Sequence, residues 1–237
     1  MFYEVVKELG IKYLVHTSSP SVVFDGTDQE GLDEKAPFAK SYLSHYPSTK
    51  AMAEKLVLAA NSADLSTVAL RPHLIWGPGD NHIAPRLLKM GRNGRLRLIG
   101  KVDKLVDTIY IDNAVDAHIL AMEGLMKEEP ISGKAYFITN QEPILASKFV
   151  NGILKAGKVP EITKRIPANI AYGVGAVCEM IYKVMGIKSD PPMTRFVARQ
   201  LSTAHWYDTK AAKQELGYIA KVSIDEGFKR LGKSLGP

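Results

Sequence analysis

Three short apolar runs, Ile11–Val15, Ser66–Arg71 and Ala135–Thr139, are separated by longer stretches with helical spacing. Brief buried strands alternating with helices of about 10–15 residues specify a parallel sheet built from β-α-β crossovers. The opening segment reads as the second half of such a unit. Phe2, Val5, Val6 and Leu9 share one helical face, and Gly10 is placed to end the helix.

A polar region, Thr17–Ser44, follows the first strand. The next helix is expected over Pro47–Asn61, with Pro47 in its first turn and Tyr46 as its N-cap. Pro72 ends the second strand and the Gly77-Pro78-Gly79-Asp80 loop comes next. A helix over Ile83–Gly91 precedes short strands at Leu96–Ile99 and Thr108–Ile111. Asp112 or Asn113 is expected to cap a helix reaching Met126. Beyond Ala146–Ala156 the chain is mainly helical, at Ala168–Met185, Met193–Gln200, Thr209–Leu216 and Ile224–Leu235.

Composition narrows the function classes. With 237 residues the chain is long enough to bury a core without disulfides, and Cys178 is its only cysteine. That favours a reducing, cytoplasmic setting. Met1–Gly10 has neither signal-peptide nor transit-peptide character. The net charge of +6 favours anionic small partners without implying nucleic acid. The basic cluster Lys89, Arg92, Arg95, Arg97, Lys101 and Lys104 lacks interleaved aromatics, so it reads as a solvated face or one that attracts an acidic substrate.

The chemistry centres on Thr17-Ser18-Ser19 followed by Tyr46-Pro47-Ser48-Thr49-Lys50. The hydroxyls stand at the C-terminal end of a strand, where open α/β sheets place their ligands. Tyr46 and Lys50 are four apart at a helix start and share a face. A lysine ammonium beside a phenol favours the phenolate, and a nearby serine hydroxyl can hold a carbonyl oxygen. These parts suit a carbonyl/alcohol redox step in which a cofactor supplies hydride. A Tyr-x-x-x-Lys match alone is weak, and its bland reading is a solvated helix face. The strand-end serines and the following Arg71-Pro72 supply the missing context.

Four segments carry a resemblance: Tyr13–Phe24 (YLVHTSSPSVVF), Tyr46–Glu54 (YPSTKAMAE), Leu70–Asp80 (LRPHLIWGPGD) and Asp107–Ala117 (DTIYIDNAVDA). In order and spacing they resemble extended short-chain dehydrogenase/reductases of the 3β-hydroxysteroid dehydrogenase branch. The wording is similar to bacterial 2-alkyl-3-oxoalkanoate reductases and sterol-4α-carboxylate 3-dehydrogenases. The resemblance implies an α/β fold: the C-terminal half of a Rossmann-type parallel sheet with a mainly helical substrate-binding lobe. Residues 1–142 would be a partial NAD(P)-binding domain, with 81–111 an excursion into the lobe, and 143–237 the lobe itself.

It also implies roles. Ser19, with Ser18 as the fallback, Tyr46 and Lys50 would be catalytic, with Tyr46 the acid/base. Tyr46, Lys50, Pro72, His73 and Leu74 would meet NAD or NADP, and Ser18, Ser21 and His82 the substrate. Ser21 stands where sugar-nucleotide dehydratases of this superfamily carry Glu, which disfavours dehydration. The implied reaction interconverts a secondary alcohol and a ketone on a hydrophobic 3-oxo or 3-hydroxy acid. The alternatives are a 3β-hydroxysteroid or sterol-4α-carboxylate dehydrogenase, and a non-catalytic fragment.

The resemblance also implies that the N-terminal glycine-rich cofactor turn is absent. The first strand would then have a free edge, and the chain alone would dimerise, aggregate or bind NAD(P) poorly. No histidine pair has metal-ligand spacing, so no metal is expected. His73 and His82 flank the Gly77–Asp80 loop, and their bland reading is structural. Gly173-Val174-Gly175 lacks a third glycine and a preceding strand, so it reads as helix packing. Ala168–Met185 is apolar nearly all round. It reads as a buried or substrate-lining helix, with a peripheral membrane contact as the rival.

Overall fold

The computed structural model describes residues 5–6, 8–187, 189 and 191–236. Phe2, on the expected first helical face, lies outside them. Val5, Val6 and Glu8 are helical. Gly10 takes a left-handed φ of 62° and the Ile11 N–H donates to the Val6 carbonyl at 3.1 Å, so the glycine ends that helix as its position suggests.

The strands in chain order are β1 (Tyr13–Thr17), β2 (Gln29–Leu32), β3 (Ser66–Pro72), β4 (Ile75–Trp76), β5 (Leu98–Ile99), β6 (Leu105–Val106), β7 (Ile109–Tyr110), β8 (Lys134–Ile138), β9 (Ile144–Leu145), β10 (Arg165–Ile166) and β11 (His205–Tyr207). The helices after residue 10 are α1 (His45–Ala59), α2 (Ile83–Arg92), α3 (Ile111–Met126), α4 (Ala146–Ala156), α5 (Ala168–Val184), α6 (Arg195–Gln200), α7 (Lys210–Glu215) and α8 (Ile224–Ser234). No helix of the described residues is long and apolar enough to cross a membrane.

The central sheet is parallel, in the order β1-β3-β8, with Val15 opposite Val68 and Arg71 opposite Phe137. This is the Rossmann-like α/β arrangement that the three apolar runs demand. Alternation sorts each strand's residues between two layers. Val68, Leu70, Tyr136 and Ile138 join Ala117, Ala121 and Leu125 of α3, and Ala212 of α7, in one core. Phe137 belongs to the opposite layer, with Val22, Val23, Ala51 and Tyr207. Among the described residues β1 pairs on one side only, with β3.

A second core forms around Trp76, where α2, α4 and α8 meet. Short strands brace the junction: β11 lies parallel to both β2 and β6, and β6 runs antiparallel to β9.

Three expectations need correction. The first helix after the serines begins at His45, so Pro47 is its third residue and Tyr46 lies inside it. Proline is tolerated there because first-turn N–H groups have no intrahelical partner. Second, Asp112 and Asn113 do not cap α3, which begins at Ile111 after Tyr110. Asn113 is buried instead, donating to the carbonyl of Val222 at 2.8 Å and accepting from its N–H at 3.0 Å. Third, α5 is not a buried helix. It presses only Ala171 and Gly175 inward, and Val174, Val177 and Val184 remain 48%, 51% and 81% exposed.

Candidate active site

The site forms where β1 runs out. Ser18 follows the strand directly, and its N–H donates to the Leu70 carbonyl on β3 at 2.6 Å. A single 3-10 turn, Pro20–Val22, then redirects the chain, with Ser19 as its extended N-cap. The Ser19 hydroxyl accepts from the Ser21 N–H at 3.2 Å and stays half-buried. It is therefore held in place while still accessible. Ser18 turns inward, is 3% exposed, and donates its hydroxyl to the Glu54 carboxylate. Ser21 is also buried, and its hydroxyl has no partner among the described residues.

The first turn of α1 packs against this corner. Tyr46 is 52% exposed, and Lys50 stands one turn further along the same face. The Lys50 ammonium donates to the Thr17 carbonyl at 2.8 Å, spanning from α1 to the end of β1. The Thr17 hydroxyl in turn meets Nε2 of His118 on α3 at 2.8 Å. The structure thus places Lys50 at the strand end that leads into Ser19, with Tyr46 one helical turn before Lys50 on α1.

The Pro72–Leu74 stretch leaves β3 at the same end of the sheet. Leu74 takes a left-handed φ of 49° and its carbonyl accepts from Ile109 at 3.3 Å, so this backbone is held in an unusual turn. His73 points into the protein. It stacks edge-on against His205 and Tyr207, with ring centroids 5.6 Å away in each case, and its Nε2 has no partner among the described residues. Burial holds His73 well below the usual imidazole range. Its backbone N–H donates to the Ile138 carbonyl at 3.2 Å, continuing the β3–β8 pairing.

His82 is exposed at the start of α2, where the Asp80 carboxylate caps the helix by accepting from the N–H groups of His82, Ile83 and Ala84 at 2.7, 3.1 and 2.7 Å. Among the described residues no hydrogen bond joins the His82 side chain to the serine corner.

Sequence reasoning passed over Glu54, and used Arg71 only as a marker of the strand end. Glu54 is fully buried and receives Arg71 through Nη2 at 2.6 Å and Nε at 3.1 Å. Arg71 also lies over the rings of Phe38 and Phe137. The signal was present: a charge inside the apolar run VALRP must be paired. Glu54 continues the stripe that Tyr46 and Lys50 begin.

A nicotinamide dinucleotide needs a nicotinamide-ribose side and a pyrophosphate cradle. Tyr46, Lys50 and the Pro72–Leu74 backbone are the groups that the family resemblance assigns to the first. Gly173-Val174-Gly175 does not fit the second. It lies within α5, where a Cβ on Gly175 would stand 2.6 Å from the Thr194 backbone.

The model of the 3-beta hydroxysteroid dehydrogenase/isomerase family matches residues 2–166. The chain belongs to that family. Among its relatives, a 2-alkyl-3-oxoalkanoate reductase from Shewanella oneidensis is 52% identical over 237 residues, covering 97% of this chain and 61% of the relative. A human sterol-4-alpha-carboxylate 3-dehydrogenase, decarboxylating, is 35% identical over 236 residues, covering 98% of this chain and 63% of the relative. The chain therefore spans somewhat over three fifths of these family members. Among solved structures, the UDP-glucuronic acid 4-epimerase from Bacillus cereus in complex with NAD superposes with a TM-score of 0.69 at 18% identity, over 98% of this chain and 64% of that one. That likeness shows the shared Rossmann-like fold.

Proposed function

We propose that this chain carries the catalytic corner of an NAD(P)-dependent oxidoreductase that interconverts a secondary alcohol and a ketone on a hydrophobic 3-oxo or 3-hydroxy acid. The observation that carries the reading is the Lys50–Thr17 bond, which sets the Tyr46/Lys50 turn against the strand end bearing Ser19. Bound NAD or NADP would supply or accept the hydride. Ser19 holds the carbonyl oxygen, Tyr46 moves the proton to or from it, and Lys50 orients the ribose and the phenol. Ser21 lies behind that corner, and its buried hydroxyl has no partner among the described residues. His82, at the α2 entrance, and Ser18 have weaker support as substrate contacts, since one is remote in hydrogen bonding and the other is committed to Glu54.

Residues 1–142 serve the cofactor in this reading and 143–237 the substrate, with 81–111 joining the latter. Ala212–Tyr218 packs back on the sheet. The 52% identity to a 2-alkyl-3-oxoalkanoate reductase supports a 2-alkyl-3-oxo acid. A sterol-4α-carboxylate is the second reading, supported by the 35% identity to the human relative. Both substrates pair a carboxylate with an apolar body.

A cytoplasmic setting belongs to the proposal. So does self-association through the edge of β1 that has no partner strand among the described residues. The exposed apolar row on α5 supports a peripheral membrane contact. The deciding experiment offers NADH and NADPH with a 2-alkyl-3-oxoalkanoate, and NAD+ and NADP+ with a 3-hydroxy sterol-4α-carboxylate. Turnover of the first supports the leading reading, turnover of the second alone supports the rival, and turnover of neither refutes both.

A further inference from the structure

Glu54 is a fully buried carboxylate at a place where an apolar side chain would fill space at lower cost. Removing a carboxylate from water is expensive, and a buried ion pair is weak evidence for stability. What this pair does provide is direction. One carboxylate is shared between three elements: it stands on α1, accepts the Ser18 hydroxyl at the end of β1, and receives the Arg71 fork at the end of β3. Tyr46, Lys50 and Glu54 follow one another at four-residue intervals, so they ride on one stripe of one rigid helix. Ser18 immediately precedes Ser19. The way α1 is joined to Ser18 therefore bears on where Tyr46 stands relative to Ser19.

We propose that Glu54 is a positioning residue: by holding Ser18 and Arg71 together, it sets the Ser19 turn against Tyr46 and Lys50. The inference rests on the oxidoreductase reading above. Catalytic groups must be held to within about half an ångström, and misplacement by about 1 Å costs on the order of a hundredfold in rate. The other anchors hold the two ends of this segment: Lys50 to Thr17 and Ser18 N–H to Leu70 at the strand end, and the Ala39 N–H and the Tyr42 hydroxyl to the Val22 carbonyl beyond Ser19.

The test uses three variants of the full chain: Ser18→Ala, Glu54→Gln, and the apolar double variant Glu54→Met with Arg71→Met. Two readouts are taken on each. The first is amide hydrogen exchange at Val22, Val23 and Phe24, whose N–H groups close the turn onto Ser19, Pro20 and Ser21. The second is steady-state kinetics. A purely structural pair would be replaced without loss by the double variant, which would keep wild-type melting, wild-type exchange and wild-type kcat.

The expected result is different. Turn amides exchange at least tenfold faster in Ser18→Ala and in the double variant, at nearly unchanged melting temperature. Their kcat falls tenfold or more while the substrate KM stays within about twofold. Unchanged exchange in Ser18→Ala overturns the proposal, as does faster exchange with undiminished kcat. An inactive wild type refutes the oxidoreductase reading and with it the catalytic part of the inference. The exchange result then decides whether Glu54 holds the turn.

Discussion

The Lys50 ammonium and the Thr17 carbonyl, 33 residues apart in sequence, meet at 2.8 Å where β1 gives way to the serine turn. Together with the Ser18–Glu54 bond, this contact ties the helix that carries Tyr46 to the strand that delivers Ser19. Lys50 is only half-buried, so its replacement should spare the fold while disturbing the corner. Lys50→Met is expected to lower kcat/KM for the cofactor-dependent reaction at least a hundredfold. Lys50→Arg is expected to recover little of that, since a planar fork does not replace a point charge. Steady-state kinetics beside thermal melting checks both.

Arg71 and Glu54 are expected to be intolerant of single replacement. Arg71→Met leaves the Glu54 carboxylate buried without its cation, which costs about 3–5 kcal/mol. For a chain of this size that is a fall in melting temperature of roughly 6–20 °C. Calorimetry on the single variant and on the paired Glu54→Met, Arg71→Met variant measures the difference.

Stability should depend on pH through three buried groups at the β11 junction. Burial raises the Asp107 carboxyl from 3.8 to about 7. Between those values the folded chain keeps a proton that the unfolded chain releases, so this contribution is full below pH about 4 and lost as pH rises through 7. Burial pushes His205 from 6.5 down to about 4, and His73 is also held low. Their contribution has the opposite sense, being full above pH about 6.5 and lost as pH falls towards 4. Asp107→Asn keeps an acceptor for the Tyr207 N–H, now met at 2.9 Å. It is expected to raise the melting temperature at pH 8 and to steepen the loss between pH 6.5 and 4. Melting curves across pH 4–8 test this. A lower melting temperature at pH 8 contradicts it.

Gly175 is the close-approach point between α5 and α6. A Cβ there would lie 2.6–2.8 Å from backbone atoms of Thr194 and Arg195, which cannot rotate away as a side chain could. Gly175→Ala is expected to cost about 1–3 kcal/mol by overpacking. Gly173→Ala, with nothing within 4 Å of its Cβ position, should be neutral or slightly stabilising. Denaturant midpoints for the two variants give the comparison.

Much of this was legible in the residues. The runs at Ser66–Arg71 and Ala135–Thr139 announce the central parallel strands because a strand covered on both faces has to be apolar throughout. Helix α4 falls at Ala146–Ala156, where its pattern places it. The four-residue spacing puts Tyr46 and Lys50 on one face of α1, and Lys50 reaches the strand end. Two-residue strands such as β9 and β10 left no trace, since their pairing is set by tertiary contacts and not by periodicity. The partner of α5 was equally hidden. An apolar helix pattern states that something should cover the helix, but not what does. Glu54 escaped notice because a carboxylate in a helix is ordinarily solvated, and only the buried Arg71 opposite it changes that reading.

The central claim is that Tyr46 is the proton-transfer group of an NAD(P)-dependent carbonyl/alcohol oxidoreductase. Its most direct test is turnover of a 2-alkyl-3-oxoalkanoate by the wild type and by Tyr46→Phe, with cofactor affinity measured in parallel by calorimetry. The account predicts a loss of at least a hundredfold in kcat, within the usual range for removing a general acid, with cofactor Kd changed by less than about threefold. Retention of more than about a tenth of wild-type kcat would contradict it.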